Sequence, residues 1–72
     1  MKDELLFKIG QSIRYIRLKK EYSQEELGFK SNLSTNALSA IERGQYNIRI
    51  KTLFSIANAL GVKVEDILNC KF

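Results

Sequence analysis

At 72 residues the chain is long enough for one domain, and so short a chain buries too little surface to be more than marginally stable unless subunits pair. A composition of 44% hydrophobic and 28% charged residues, with no proline and four glycines, argues against a disordered tail and for a compact helical domain. One cysteine and no histidine exclude an intramolecular disulfide and argue against a zinc site. The net charge of +4, with a pI of about 9.4, raises nucleic acid or an anionic membrane surface as partners.

No stretch approaches the length of a membrane span, and the first residues carry neither a long apolar run nor a small-residue cleavage site, so a cytoplasmic location is expected. Neither an internal repeat nor a linker interrupts the chain, and residues 1–72 are expected to form a single domain of five helices.

The first helix is expected over about residues 3–20. Leu6, Ile9, Ile13 and Ile16 recur at spacings of three and four, which places them on one helical face. Asp3 and Glu4 sit near its positive end, and Lys19 and Lys20 near its negative end. The second helix has the clearest start. In Ser23-Gln24-Glu25-Glu26 the serine caps the backbone and Glu26 reaches back, while Tyr22 and Leu27 form a hydrophobic staple. It ends near Ser31, and Asn32 tolerates the left-handed conformation of a tight turn.

The third helix starts in the same way, with Ser34 as N-cap and Leu33 and Leu38 as staple. It closes at Arg43-Gly44, Gly44 being a left-handed cap. A polar loop, residues 45–49, contains Tyr46 and Asn47. A fourth helix over about residues 50–60 buries Ile50, Leu53, Ala57 and Leu60 and stops at Gly61. A short fifth helix, about residues 64–69, has Glu65 and Asp66 in its first turn and Ile67 and Leu68 turned inward.

Two short capped helices joined by a tight turn, residues 23–43, make a helix-turn-helix corner whose second member is braced so that it protrudes. A protruding helix fits the DNA major groove, where base edges differ in their donor and acceptor patterns. Leu38, Ile41 and Glu42 of the third helix are assigned inward. That leaves Thr35, Asn36, Ala37, Ser39 and Ala40, all small or polar and none acidic, to approach bases. Asn36 has the amide to pair with adenine, and the Thr35 or Ala37 methyl suits a thymine methyl. An ordinary surface helix with short side chains has the same composition; the capped helix before it decides against that reading.

The run Ser23-Gln24-Glu25-Glu26-Leu27, then Ser34, Ile41-Glu42-Arg43-Gly44, Asn47 and Ala59-Leu60-Gly61-Val62, resembles the Cro/C1-type (XRE) helix-turn-helix family over about residues 9–69. Within it, the length and Ile16-Arg17-Leu18-Lys19-Lys20 are similar to restriction–modification controller proteins and small phage repressors. The resemblance implies an all-α, compact, five-helix, lambda-repressor-like DNA-binding domain with its helix-turn-helix at helices 2 and 3.

It also implies roles. Thr35, Asn36, Ala37, Ser39, Ala40 and Arg43 fall where the family reads bases, and Gln24 where a side chain and helix amides hold a phosphate. Asn47, Arg49 and Lys51 flank the DNA backbone, and Arg17 and Glu42 form a buried ion pair bracing the first and third helices. Gly28 stands where the family usually has alanine, Glu21 and Asn32 where it has glycine, and Arg49 and Lys63 where it often has a capping serine.

Arg14, Lys19 and Lys20 are read as phosphate contacts or as a solvated basic face, and Tyr46 as a phosphate hydrogen-bond donor. The other aromatic residues are read as core or rim, and Cys70 as an ordinary thiol. One helix in one groove reads few base pairs, so a symmetric homodimer on a partly palindromic double-stranded DNA operator is expected. Its interface is placed at Phe54, Asn58, Val62, Val64, Ile67, Leu68 and Phe72. The function expected is transcription regulation; the alternative is a protein-interaction module or an antitoxin whose main partner is another protein. An enzyme is not expected, because the chain lacks histidine, a nucleophile motif and a phosphate-cradling glycine loop. The pairs Glu25/Glu26 and Glu65/Asp66 are successive helix residues that diverge in direction, and are read as helix-start charges. No metal, cofactor or small-molecule ligand is expected.

Overall fold

A computed structural model describes residues 3–70, and all of the regular structure among them is helical. The helices are α1 (Glu4–Lys19), α2 (Gln24–Lys30), α3 (Thr35–Glu42), α4 (Ile50–Leu60) and α5 (Val64–Leu68). They pack α1 against α3, α4 and α5, α2 against α3 and α4, and α4 against α5, in a body of 29 × 24 × 20 Å. Every expected helix is present, with boundaries unmoved or shifted by about one residue.

The caps account for those boundaries. Asp3 accepts from the Leu6 backbone N–H at 3.1 Å, so it lies just outside α1 as its N-cap. Ser23 and Glu26 complete the capping box: the Glu26 N–H donates to Ser23 Oγ at 3.0 Å, and the Ser23 N–H donates to Glu26 Oε1 at 2.9 Å. The Ser23 backbone N–H, helped by its side chain, holds the Glu26 carboxyl below its ordinary pKa. Ser34 Oγ accepts from the Ala37 N–H at 3.1 Å. Arg49 caps α4 with no side-chain bond, and α5 starts with the Lys63 N–H donating to Asp66 Oδ2 at 2.9 Å, in place of a capping serine.

Two non-glycine residues adopt left-handed backbone, Glu21 at φ 61° and Asn32 at φ 60°. Asn32 was expected to do so. Glu21 takes this conformation to close α1, where the Tyr22 N–H bonds the Arg17 carbonyl at 3.1 Å; a charged side chain there carries a cost of roughly 1 kcal/mol.

The core is built from Ile9 and Ile13 of α1, Leu27 of α2, Leu38 and Ile41 of α3, four residues of α4 and Ile67 of α5. Two expected orientations are corrected. Ile50 is 64% exposed, and Ile56, fully buried, takes its place beside Leu53, Ala57 and Leu60. The loop residue Ile48 already packs on the core, so Ile50, two residues on, turns outward. Leu68 is 41% exposed, because α5 turns Ile67, with Val64 packed beside it, to the core instead.

Close backbone approach explains two glycines. A Cβ on Gly28 would stand 2.7 Å from the Leu33 carbonyl oxygen, so the tight turn after α2 needs glycine there. On Gly10 it would stand 2.3 Å from the Ile41 carbonyl oxygen and 2.7 Å from that of Glu42. Gly10→Ala is therefore expected to push α1 off α3 and lower stability by about 1–3 kcal/mol, although alanine gains roughly 1 kcal/mol in helix propensity. A urea midpoint at or above that of the parent would refute this.

Candidate nucleic-acid interface

The helix-turn-helix corner is anchored from within. The guanidinium of Arg17 donates through Nε to Glu42 Oε2 at 2.7 Å and through Nη2 to Glu42 Oε1 at 3.2 Å. Its Nη1 donates to the Tyr22 carbonyl at 2.8 Å. Both residues are buried, so this is the bidentate pair between α1 and α3 that the resemblance implied. The Gln11 side chain adds a bond to the Glu42 carbonyl at 3.2 Å. Ser55 Oγ reaches the Ser31 carbonyl at 3.1 Å and ties α4 to the turn after α2.

Gln24 takes a partner that the sequence reading missed. Its Nε2 donates to Glu42 Oε1 at 3.0 Å, so the side chain expected on a phosphate also extends the brace from α2 to α3. Glu42, the single acid of α3, is thus enclosed by a guanidinium and an amide.

What α3 presents outward carries no acid. Thr35, Asn36 and Arg43 are exposed, and Ala37, Ser39 and Ala40 are partly exposed beside them. Arg43 is held in place: Nε donates to Gln45 Oε1 at 3.0 Å, and Nη1 donates to Ser39 Oγ. Gln45 was not among the residues singled out from sequence.

The basic and polar residues read as backbone contacts, Arg14, Lys19, Asn47, Arg49 and Lys51, are all exposed, and Tyr46 is 42% exposed. The Lys19 ammonium lies 5.5 Å from the centre of the Tyr15 ring, which steadies its long chain.

On α4 and α5, Phe54 is 58% exposed at the edge of an open groove of about 440 Å³, lined also by Asn58, Val62, Lys63 and Val64. Ile67, expected on an intersubunit surface, has no exposed area, because it fills the core between α5 and α1. Phe72 lies outside the described residues. Among the described residues no helix is long and apolar enough to cross a membrane.

The comparisons agree with this architecture. A helix-turn-helix family profile matches residues 13–67. The control protein C.BamHI of Bacillus amyloliquefaciens is 44% identical over 66 residues, covering 90% of this chain and 79% of its own. The immunity repressor protein of Bacillus phage phi105 is 42% identical over 60 residues, covering 83% of this chain, which spans 42% of the repressor's length. Among solved structures, the restriction–modification controller C.AhdI from Aeromonas hydrophila superposes with a TM-score of 0.84 at 35% identity, covering 86% of this chain and 94% of its own. The controller C.Esp1396I, solved as a tetramer with its natural 35 base-pair operator, superposes with a TM-score of 0.85 at 38% identity, covering 93% and 92%. With its braced corner, its acid-free outer helix and a family match over most of its length, the chain belongs to the Cro/C1-type helix-turn-helix family of DNA-binding transcription regulators.

Proposed function

We propose that the protein binds a partly palindromic double-stranded DNA operator as a symmetric homodimer, lays α3 of each subunit in the major groove, and controls transcription from that site. The acid-free face of α3 carries this reading: its one carboxylate is turned inward and neutralised by Arg17, and the arginine at its end is held outward. Thr35, Asn36, Ala37, Ser39, Ala40 and Arg43 are the base-facing set. Arg14, Lys19, Tyr46, Asn47, Arg49 and Lys51 supply phosphate contacts, and Gln24 contributes there while bonded to Glu42. Residues 1–72 act as one domain, in the cytoplasm where the DNA lies, with no catalytic step.

The homodimer is supported by the α4–α5 groove beside Phe54, whose walls Asn58, Val62 and Val64 were expected at the interface from sequence. Ile50 of α4 and Leu68 of α5 are further exposed apolar residues on the same two helices. Among the relatives, C.Esp1396I assembles as a tetramer on its operator.

The test is the double variant Asn36→Ala/Arg43→Ala on an operator selected from a random DNA pool. Each substitution is expected to remove about 1–3 kcal/mol of discrimination against other sequences. Weak binding with a log–log salt slope of about −0.9 per phosphate contact should remain. Full discrimination in the double variant would overturn the assignment of α3. A stoichiometric protein partner, with no salt-dependent DNA binding, would favour the protein-interaction alternative.

A further inference from the structure

We propose that Gln45 is a positioning residue that makes Arg43 a guanine reader; this rests on the assignment of Arg43 to the base-facing set. Part of the hydrogen-bonding capacity at the end of α3 is already used within the chain. Arginine has five N–H donors and no acceptor. Nε of Arg43 is given to Gln45 Oε1 at 3.0 Å, and one Nη1 hydrogen to Ser39 Oγ. Because the guanidinium only donates, the oxygen of the Gln45 amide is the atom that must face it.

Two consequences follow. The guanidinium plane is fixed by a bond on each side, so its terminal edge, both Nη2 hydrogens and the second Nη1 hydrogen, is presented without the freedom of an arginine in solvent. The Gln45 oxygen is turned toward the guanidinium, with one of its two lone pairs taken by Nε. The free edge of Arg43 at the end of α3 presents donors alone.

In the major groove guanine offers two acceptors, N7 and O6, on one edge. Adenine pairs an acceptor with a donor, thymine offers one acceptor beside a methyl, and cytosine offers a donor. A donor-only fork matches guanine and leaves a mismatched or unpaired group on each of the others. Elsewhere on the face, Asn36 keeps both an amide donor and an acceptor, so the two ends of α3 select different bases.

Binding-site selection from a random DNA pool with the full chain tests this, using the parent, Gln45→Met, Gln45→Glu and Arg43→Ala. The parent is expected to select guanine at one position in each half-site, and 7-deazaguanine there, which lacks the N7 acceptor, to weaken binding about tenfold. Gln45→Met keeps the length of the side chain but has no acceptor. It is expected to relax that single position toward equal base usage and to abolish the 7-deazaguanine penalty, leaving the other positions and the melting temperature unchanged. Gln45→Glu restores an acceptor and is expected to keep guanine at that position while weakening binding to all sequences alike.

A guanine preference that survives in Gln45→Met overturns the positioning role and leaves Arg43 as the reader. One that survives in Arg43→Ala overturns the reading of Arg43 itself. A parent profile with no guanine position overturns the proposal outright.

Discussion

Replacing Glu42 by alanine is expected to destabilise the fold by about 3–5 kcal/mol, enough to leave a domain of this size largely unfolded. Glu42 is 3% exposed and accepts two bonds from Arg17 and one from Gln24. Removing the carboxylate strands the buried Arg17 charge, leaving it the bond to the Tyr22 carbonyl. It also releases Gln24 and the link from α2 to α3.

The cost comes from the stranded charge more than from the attraction of the pair, because taking both ions out of water offsets much of that attraction. The double variant Arg17→Met/Glu42→Leu is accordingly expected to recover most of the lost stability. Urea unfolding of the two single variants and the double variant measures the coupling. A Glu42→Ala protein within about 1 kcal/mol of the parent would mean that the pair acts as a solvent-screened surface bridge.

Phe54→Asp is expected to leave the subunit folded and to abolish tight operator binding. Phe54 is 58% exposed, so an aspartate there is solvated in the free subunit, yet in a dimer built on this groove it would face its symmetry mate across an apolar surface. Linking two half-site binders raises affinity by about 10²–10⁴-fold through effective concentration alone, and the variant should lose a factor of that order. Its salt slope should fall to about half, since one subunit contacts half the phosphates. Sedimentation with parallel DNA titrations reads both quantities, and a Phe54→Asp protein that remains dimeric would move the interface away from α4 and α5.

Specific residues show which features were legible and which were not. Caps and staples put α2 and α3 in place, and apolar spacing with end charges the other three helices, because each of these signals acts within a few residues of its own position. The Cro/C1 resemblance supplied the Arg17–Glu42 pair, whose partners lie 25 residues apart. Gln24 was placed on a phosphate for the same reason, and nothing local revealed that Glu42, 18 residues away, would take its amide. Ile50 and Ile56 are equally apolar. Only the packing of Ile48 and the approach of α5 decided which of them entered the core, and the same packing withdrew Ile67 from the intersubunit surface.

The sequence by itself determined the helices, their ends and the chemical character of the outer face of α3, because propensity, capping and periodicity are short-range properties of neighbouring residues. Tertiary structure alone decided how that face is aimed. It set the close approach of α1 to the backbone of α3 that reserves position 10 for glycine, the bond of the Gln24 amide to Glu42, and the outward turn of Ile50. Each of these depends on where whole helices meet, which no run of adjacent residues encodes.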